Sequence, residues 1–291
     1  MISAPGKLGA YLRLIRFDKP IGTVLVLMPT LWSLWISSAG RPSLKSLLVF
    51  TGGCFLMRSA GCIANDLADR RFDRLVERTR SRPLATGEIN SGEAVLLFLL
   101  LSAVAFLLVL QLNRMTVYLS GGGLVLAILY PFSKRWISLP QFVLGISFGW
   151  GALMASASVD SRIGLPAFLI FAANIFWSLA YDTIYALMDR KDDLKIGVNS
   201  AAILFGRRVA LAVGIFLALA LLLLGWAGYL ARRHAFYFCF LGFAGLAFGR
   251  QAYGLAREDP ERLAFSYFKS HGYIGSFILL GIAGDYLLNG A

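Results

Sequence analysis

RSAGCIANDLADRRFDRLVERTRSR, residues 58–82, decides how the rest of the chain is read. It begins inside an apolar run and ends in a dense mixture of both charges. Asn65, Asp69 and Asp73 recur at i, i+4 and i+8, a spacing that stacks three oxygen-bearing side chains on one helix face. Arg58, seven residues before Asn65, falls on roughly the same face. Ionisable groups at the end of a membrane-length apolar segment are costly there and point to function. A second cluster, Asp182, Asp189 and Asp193, follows a later apolar run. Its i, i+7, i+11 spacing predicts one helical face again. Two acidic helix ends among arginines predict a divalent-metal and diphosphate site.

Working outward, the 291 residues are 58% hydrophobic and only 15% charged, with a mean hydropathy of +0.69. A soluble chain is nearer half apolar and a quarter charged. Apolar spans are predicted at 21–39, 45–67, 94–112, 115–133, 139–158, 166–188, 209–230, 235–254 and 272–288. This is an all-α membrane protein by expectation, because a lone lipid-facing strand cannot satisfy its own backbone. Residues 1–19, with Lys7, Arg13, Arg16 and Lys19 among leucines, predict an amphipathic segment on the membrane surface. A signal peptide is disfavoured, since no small-residue cleavage site follows the first span.

The net charge of +12 reflects loop bias rather than nucleic-acid binding. Of the 28 Lys and Arg, 21 fall on one side: the N-terminus and residues 68–93, 134–135, 189–208 and 250–271. Six fall on the other side, and Arg58 lies within a span. That split predicts a cytoplasmic N-terminus and places both acidic clusters in the cytoplasm. Each acidic cluster closes one span and precedes a basic loop and another span. This predicts one transmembrane domain of two four-helix pseudo-repeats, about 20–133 and 139–254, plus a ninth helix at about 272–288. Cys54, Cys62 and Cys239 lie in apolar runs and read as small buried hydrophobes. Gly145 and Gly149 predict close helix contact.

Mg²⁺ suits these clusters. It takes hard oxygen ligands, usually one or two carboxylates, and completes its shell with water and phosphate oxygens. No Cys/His cluster suggests zinc, and no phosphate-loop motif suggests nucleotide hydrolysis. His234 and His271 read as interfacial residues. Tyr130-Pro131-Phe132-Ser133-Lys134-Arg135 closes the fourth span on the acidic side. Lys134 and Arg135 could stabilise a departing diphosphate. Arg58 could pair with an acid of the chain or bind the carboxylate of a small substrate.

Asn65-Asp66-x-x-Asp69-x-x-x-Asp73 and Tyr181-Asp182-Thr183-x-Tyr185-Ala186-x-x-Asp189-x-x-x-Asp193 resemble the two aspartate motifs of the UbiA superfamily of intramembrane aromatic prenyltransferases. Arg16-x-Asp18-Lys19-Pro20-Ile21-Gly22, Pro29-Thr30-Leu31-Trp32, Arg82-Pro83-Leu84 and Lys195-Ile196-Gly197 are similar to its branch acting on 4-hydroxybenzoate in ubiquinone biosynthesis. Asn199 departs from that branch, which usually has Lys before the Ser. The resemblance spans about residues 11–275. It implies nine transmembrane helices around a central cavity with a cytoplasmic cap, in a bacterial-type inner membrane. It implies Mg²⁺, a polyprenyl diphosphate donor, and Asp69, Asp73, Asp189 and Asp193 as metal and diphosphate carboxylates. Asn65 and Asp182 would support them. Arg135, Lys134 and Tyr130 would hold the diphosphate, and Arg58 the acceptor's carboxylate. Asp182 is a candidate proton acceptor.

No nucleic-acid or obligate protein partner is expected. Other readings are a sister branch using dihydroxynaphthoate, homogentisate, haem or chlorophyllide, a cation-coupled transporter, or a purely structural membrane protein.

Overall fold

The computed structural model describes residues 6–133, 136–137, 139–196 and 200–290. Those residues form helices joined by turns and short irregular stretches, with no strand among them. The elements are α1 (Lys7–Leu14), α2 (Ile21–Ser37), α3 (Leu44–Asp73), α4 (Pro83–Thr86), α5 (Ser91–Val109), α6 (Arg114–Ser133) and α7 (Pro140–Asp160). They continue with α8 (Leu165–Ala186), α9 (Arg190–Ile196), α10 (Ala201–Phe205), α11 (Val209–Leu230), α12 (Ala235–Arg257) and α13 (Pro260–Asn289). Each predicted apolar span falls on one of these helices. Seven segments are long and apolar enough to cross a membrane: α3, α5, α6, α7, α8, Ala201–Leu230 and α13. The bundle exposes large apolar side chains such as Leu96, Leu107, Leu222 and Leu246. Patches of that kind are avoided in water and are at home in lipid. The protein is an integral membrane protein.

Local signals start the helices. Ser43 accepts from the Ser46 amide at 3.1 Å to begin α3. Asn90 and Glu93 form a reciprocal capping box at α5. Pro140, Pro166 and Pro260 occupy first-turn positions, where a missing N–H costs nothing. Asp259 accepts from the Glu261 amide just ahead of α13.

Packing then fixes the bundle. α8 lies against α7 and α11, and α2 sits between α3, α7 and α13. α7 and α8 approach closely at Gly145, where an added Cβ would stand 2.8 Å from the Ile175 Cα. Leu25, Trp32, Trp177, Tyr181 and Ile184 form the buried centre. The Trp32 indole donates to the Gly275 carbonyl at 3.1 Å, tying α2 to α13. The Trp177 indole donates to His271 Nδ1 at 2.7 Å, tying α8 to α13.

Three sequence expectations are corrected here, and Arg233 and α1 add two features that the sequence did not indicate. Residues 250–271 are not a loop, because α12 runs to Arg257 and α13 starts at Pro260. The amphipathic stretch 260–271 is helical because Asp259 and Pro260 set its start. His271 is fully buried among aromatic rings, not interfacial. Cys239 is exposed on α12. Arg233 is also buried, paired with the buried Asp285 and stacked 3.4 Å from the Tyr286 ring centre. Finally, α1 does more than rest on a surface. Its Ala10 and Leu14 pack against Ile63, Leu84, Ile89 and Ala94, so α1 covers the charged ends of α3 and α5.

Candidate active site

A cavity of about 1670 Å³ runs from the charged end deep into the bundle. That exceeds the usual few hundred to about 1,000 Å³ of a single-ligand pocket, so there is room for more than one substrate. Its deep walls come from α2, α3, α5, α6 and α7, including Val49, Phe50, Phe106 and Val117. Gly53 and Gly61 of α3 also line it, with nothing within 4 Å of where a Cβ would stand. Its charged end is lined by Asn65 and Asp66 from α3, Asp182 from α8, Asp189 from the following turn and Asp193 from α9.

The first acidic cluster sits as predicted on one continuous helix. Asn65, Asp69 and Asp73 occupy the last turns of α3, which extends six residues past the predicted span end at 67. Asp73 is buried and receives the Arg82 guanidinium on both carboxylate oxygens at 2.9 Å. Asp66, with no exposed surface, receives Arg16 on both oxygens at 2.8 Å and Arg82 at 3.0 Å. Arg82 therefore folds the 74–82 segment back onto α3, and Arg16 fastens the segment after α1 to the same carboxylate.

The second cluster does not share one helix face. α8 ends at Ala186, a turn follows, and α9 begins at Arg190. Asp182, Asp189 and Asp193 thus stand on helix, turn and helix. The Asp193 amide donates to the Asp189 carbonyl at 2.9 Å as α9 starts.

The segment after the first cluster meets the second cluster at the cavity mouth, although Asp69 and Asp73 are not among the residues that line the cavity. Arg78, from the segment after the first cluster, donates to Asp189 of the second at 2.7 Å and to the Tyr185 hydroxyl at 2.7 Å. Its guanidinium also lies 4.8 Å from the Tyr185 ring centre. Burial works against its charge, but Asp189 and Tyr185 outweigh that, so its pKa is raised. Lys19 stands on the same wall. Partial burial lowers its pKa, Arg16, Arg78 and Arg82 push the same way, and Asp18 opposes them. Tyr130 of α6 lines the same cavity.

Arg58 lines the cavity further in. It donates to the Cys62 sulfur, and its guanidinium lies 5.8 Å from the Phe148 ring centre. Its Nε is buried without a partner, and no carboxylate pairs with it among the described residues. Of the two sequence readings of Arg58, pairing with an acid of the chain is therefore not what is seen. Gly22 makes room for it, since a Cβ there would lie 2.6 Å from the guanidinium. Lys134, Arg135 and Asn199 lie outside the described residues.

Sequence reasoning did not single out Arg78, Arg82, Arg16, Asp66 or Tyr185 as site residues. For Asp66 the signal was its place in the first motif. For the arginines it was their density within 70–82. Among the described residues no three His, Cys, Asp or Glu side chains are close enough to enclose a metal ion. The donor set is hard oxygen, offered from two sides of one mouth. That fits an ion that takes one or two carboxylates and fills its shell with water and phosphate.

Known proteins resemble this chain in sequence and fold. Residues 26–273 match the UbiA prenyltransferase family. The chain is 49% identical over 279 residues to a 4-hydroxybenzoate octaprenyltransferase of Tolumonas auensis, covering 96% of this chain and 97% of that one. It is 49% identical over 281 residues to the protein of that name from Methylobacillus flagellatus, covering 96% and 95%. Among solved structures it is similar to a UbiA homolog from Aeropyrum pernix K1, with TM-score 0.76 and 26% identity over 89% of this chain and 96% of that one. A UbiA homolog from Archaeoglobus fulgidus bound to GPP and Mg²⁺ shares the fold, with TM-score 0.71 and 16% identity over 94% and 98%.

Proposed function

The chain belongs to the UbiA prenyltransferase family, and from that membership we propose how its cavity moves a polyprenyl group from a polyprenyl diphosphate onto 4-hydroxybenzoate. The new bond forms at the ring carbon ortho to the hydroxyl, and diphosphate is released. The observation that carries this reading is the Arg78 bridge, which joins the two acidic segments at one cavity mouth.

Asp69, Asp73, Asp189 and Asp193 would hold Mg²⁺, with Asn65 and Asp182 supporting them. When bound, Mg²⁺ neutralises charge growing on the leaving diphosphate. Arg82 and Arg78 now neutralise Asp73 and Asp189. A diphosphate arriving with its metal offers each ion of those pairs a new partner: an anion for the guanidinium and a cation for the carboxylate. Lys19, Tyr130, Lys134 and Arg135 would add further contacts to the diphosphate. The allylic C–O bond then breaks, and its electron pair leaves with diphosphate.

The allyl cation must be kept from water. The apolar depth of the cavity and its aromatic rings serve that purpose. The isoprenoid tail fits along α3, past Gly61 and Gly53. The ring carbon attacks the cation, and the ring loses a proton to a base, for which Asp182 is the candidate.

The acceptor is held by Arg58. Its guanidinium stands in an aromatic-walled cavity with no carboxylate partner among the described residues, which suits a small carboxylate. Arg58→Met is expected to raise KM for 4-hydroxybenzoate roughly tenfold or more, the cost of one charge-assisted hydrogen bond, with the donor KM unmoved. Steady-state kinetics with each substrate varied in turn checks this. Equal shifts in both constants would remove Arg58 from the acceptor site.

The arrangement is read as nine membrane crossings, with α2 and α12 joining the seven long apolar segments. It comprises two pseudo-repeats, about 20–133 and 139–254, and a ninth crossing at about 272–288. α1, α4, α9 and α10 would form a cap over the charged end. The Lys and Arg bias places that end and the N-terminus in the cytoplasm of a bacterial-type inner membrane. The transporter reading loses its support, since the matched relatives are transferases. The relatives' names also favour 4-hydroxybenzoate over the acceptors of sister branches.

A further inference from the structure

Gln141 is the second residue of α7, directly after the Pro140 that opens the helix. It is 4% exposed and lines the cavity beside Pro140 and Leu144. Its Oε1 is buried and accepts no hydrogen bond among the described residues. A buried carbonyl oxygen left without a donor is costly, and most such atoms are satisfied. Gln141 itself lines the substrate cavity, so a turn of its amide brings this orphan oxygen to a donor bound there.

Its place along α7 indicates which end of the site it serves. Gly149 lies against Phe171 and Asn174 of α8, and Gly145 lies against Ile175 and Ser178. The two helices run antiparallel, so one more turn sets position 141 level with the Tyr181–Asp182 turn. That is the region where the acceptor ring must lose its proton.

We propose that Gln141 receives the hydroxyl of the aromatic acceptor, so that the ring is held by its carboxylate at Arg58 and by its hydroxyl at Gln141. This rests on the prenyl-transfer reading above. The chemistry discriminates among the molecules present. An amide oxygen only accepts, so it repels diphosphate oxygens and has nothing to take from a hydrocarbon tail. The acceptor's O–H is the donor that matches. A phenol donating to a neutral amide keeps its proton while the ring gains electron density. With the carbon para to the hydroxyl already carrying the carboxylate, that density serves the ortho carbon. Two anchors at opposite ends of the ring also fix its plane, leaving an ortho carbon to be turned toward the allylic carbon.

The test uses the full-length protein in liposomes with a polyprenyl diphosphate and Mg²⁺. Benzoate, which lacks the hydroxyl, serves as a competitive inhibitor. Gln141→Met keeps the side-chain length and removes the acceptor atom. It is expected to raise KM for 4-hydroxybenzoate roughly tenfold, while the benzoate inhibition constant and the donor KM stay put. Gln141→Asn, which withdraws the amide by one carbon, should shift the same constant in the same direction and serves if the Met variant fails to fold. Parallel shifts for 4-hydroxybenzoate and benzoate would mean a structural role and overturn the proposal. So would an unchanged 4-hydroxybenzoate KM, or an effect confined to the Mg²⁺ requirement. Failure of the transferase reading itself looks different: the unmodified protein would then give no prenylated product.

Discussion

Asp189→Ala is expected to abolish turnover in membranes that still contain intact protein, and Asp69→Ala to do the same. Removing one preorganised hydrogen-bond donor to a transition state costs a factor of about 10²–10³, and losing a carboxylate that holds the metal is expected to cost at least as much. The two residues come from different halves of the chain, yet each is needed, because diphosphate must be gripped from both sides to leave. Folding should survive both changes. Asp69 and Asp189 are only half-buried, and Arg78 keeps its hydrogen bond to the Tyr185 hydroxyl when Asp189 is gone. Product formation measured against protein level and melting temperature checks the prediction. Near-normal activity in either variant refutes the metal assignment.

Asp66→Ala is expected to loosen the fold of the charged end instead. Asp66 has no exposed surface and holds two arginines whose side chains are themselves 15% and 17% exposed. Removing one partner of a buried ion pair costs about 3–5 kcal/mol, because the remaining charge stays buried without compensation. Arg82 would still keep Asp73, whereas Arg16 would lose its carboxylate. The expected result is a lower melting temperature in detergent and rapid proteolysis within residues 74–82 and next to α1. An unchanged melting curve and protease pattern would show that this network does not fasten the cap. Activity lost through Asp66 therefore carries a stability signature that Asp69→Ala and Asp189→Ala lack.

The contrast between these carboxylates also marks how far the sequence could be read. The first acidic helix end was legible because local rules govern it: an apolar run, then oxygen ligands every four residues. The role of Asp66 was not, since its partners stand 50 and 16 residues away and only folding brings them near. The second cluster misled for a related reason. Its spacing is compatible with one helix, but the chain turns between Ala186 and Arg190, and Asp189 meets a guanidinium 111 residues away. No local period encodes that meeting. α13 was read too short because hydropathy finds the lipid-crossing part of a helix and overlooks the amphipathic turns that lead into it. The burial of His271 depended on Trp177, 94 residues off. Arg58 was legible as unusual from its depth in a span alone. Only the structure shows that it lines a cavity with no carboxylate partner among the described residues.

The reaction itself supplies the most direct measurement. Purified protein in liposomes is incubated with 4-hydroxybenzoate, a polyprenyl diphosphate and Mg²⁺, and both products are quantified by mass. The predicted result is 4-hydroxybenzoate carrying one polyprenyl group ortho to its hydroxyl, with one diphosphate released per product formed and none in the absence of divalent metal. Diphosphate release without the carbon–carbon bond, or full turnover with metal chelated, would contradict the account.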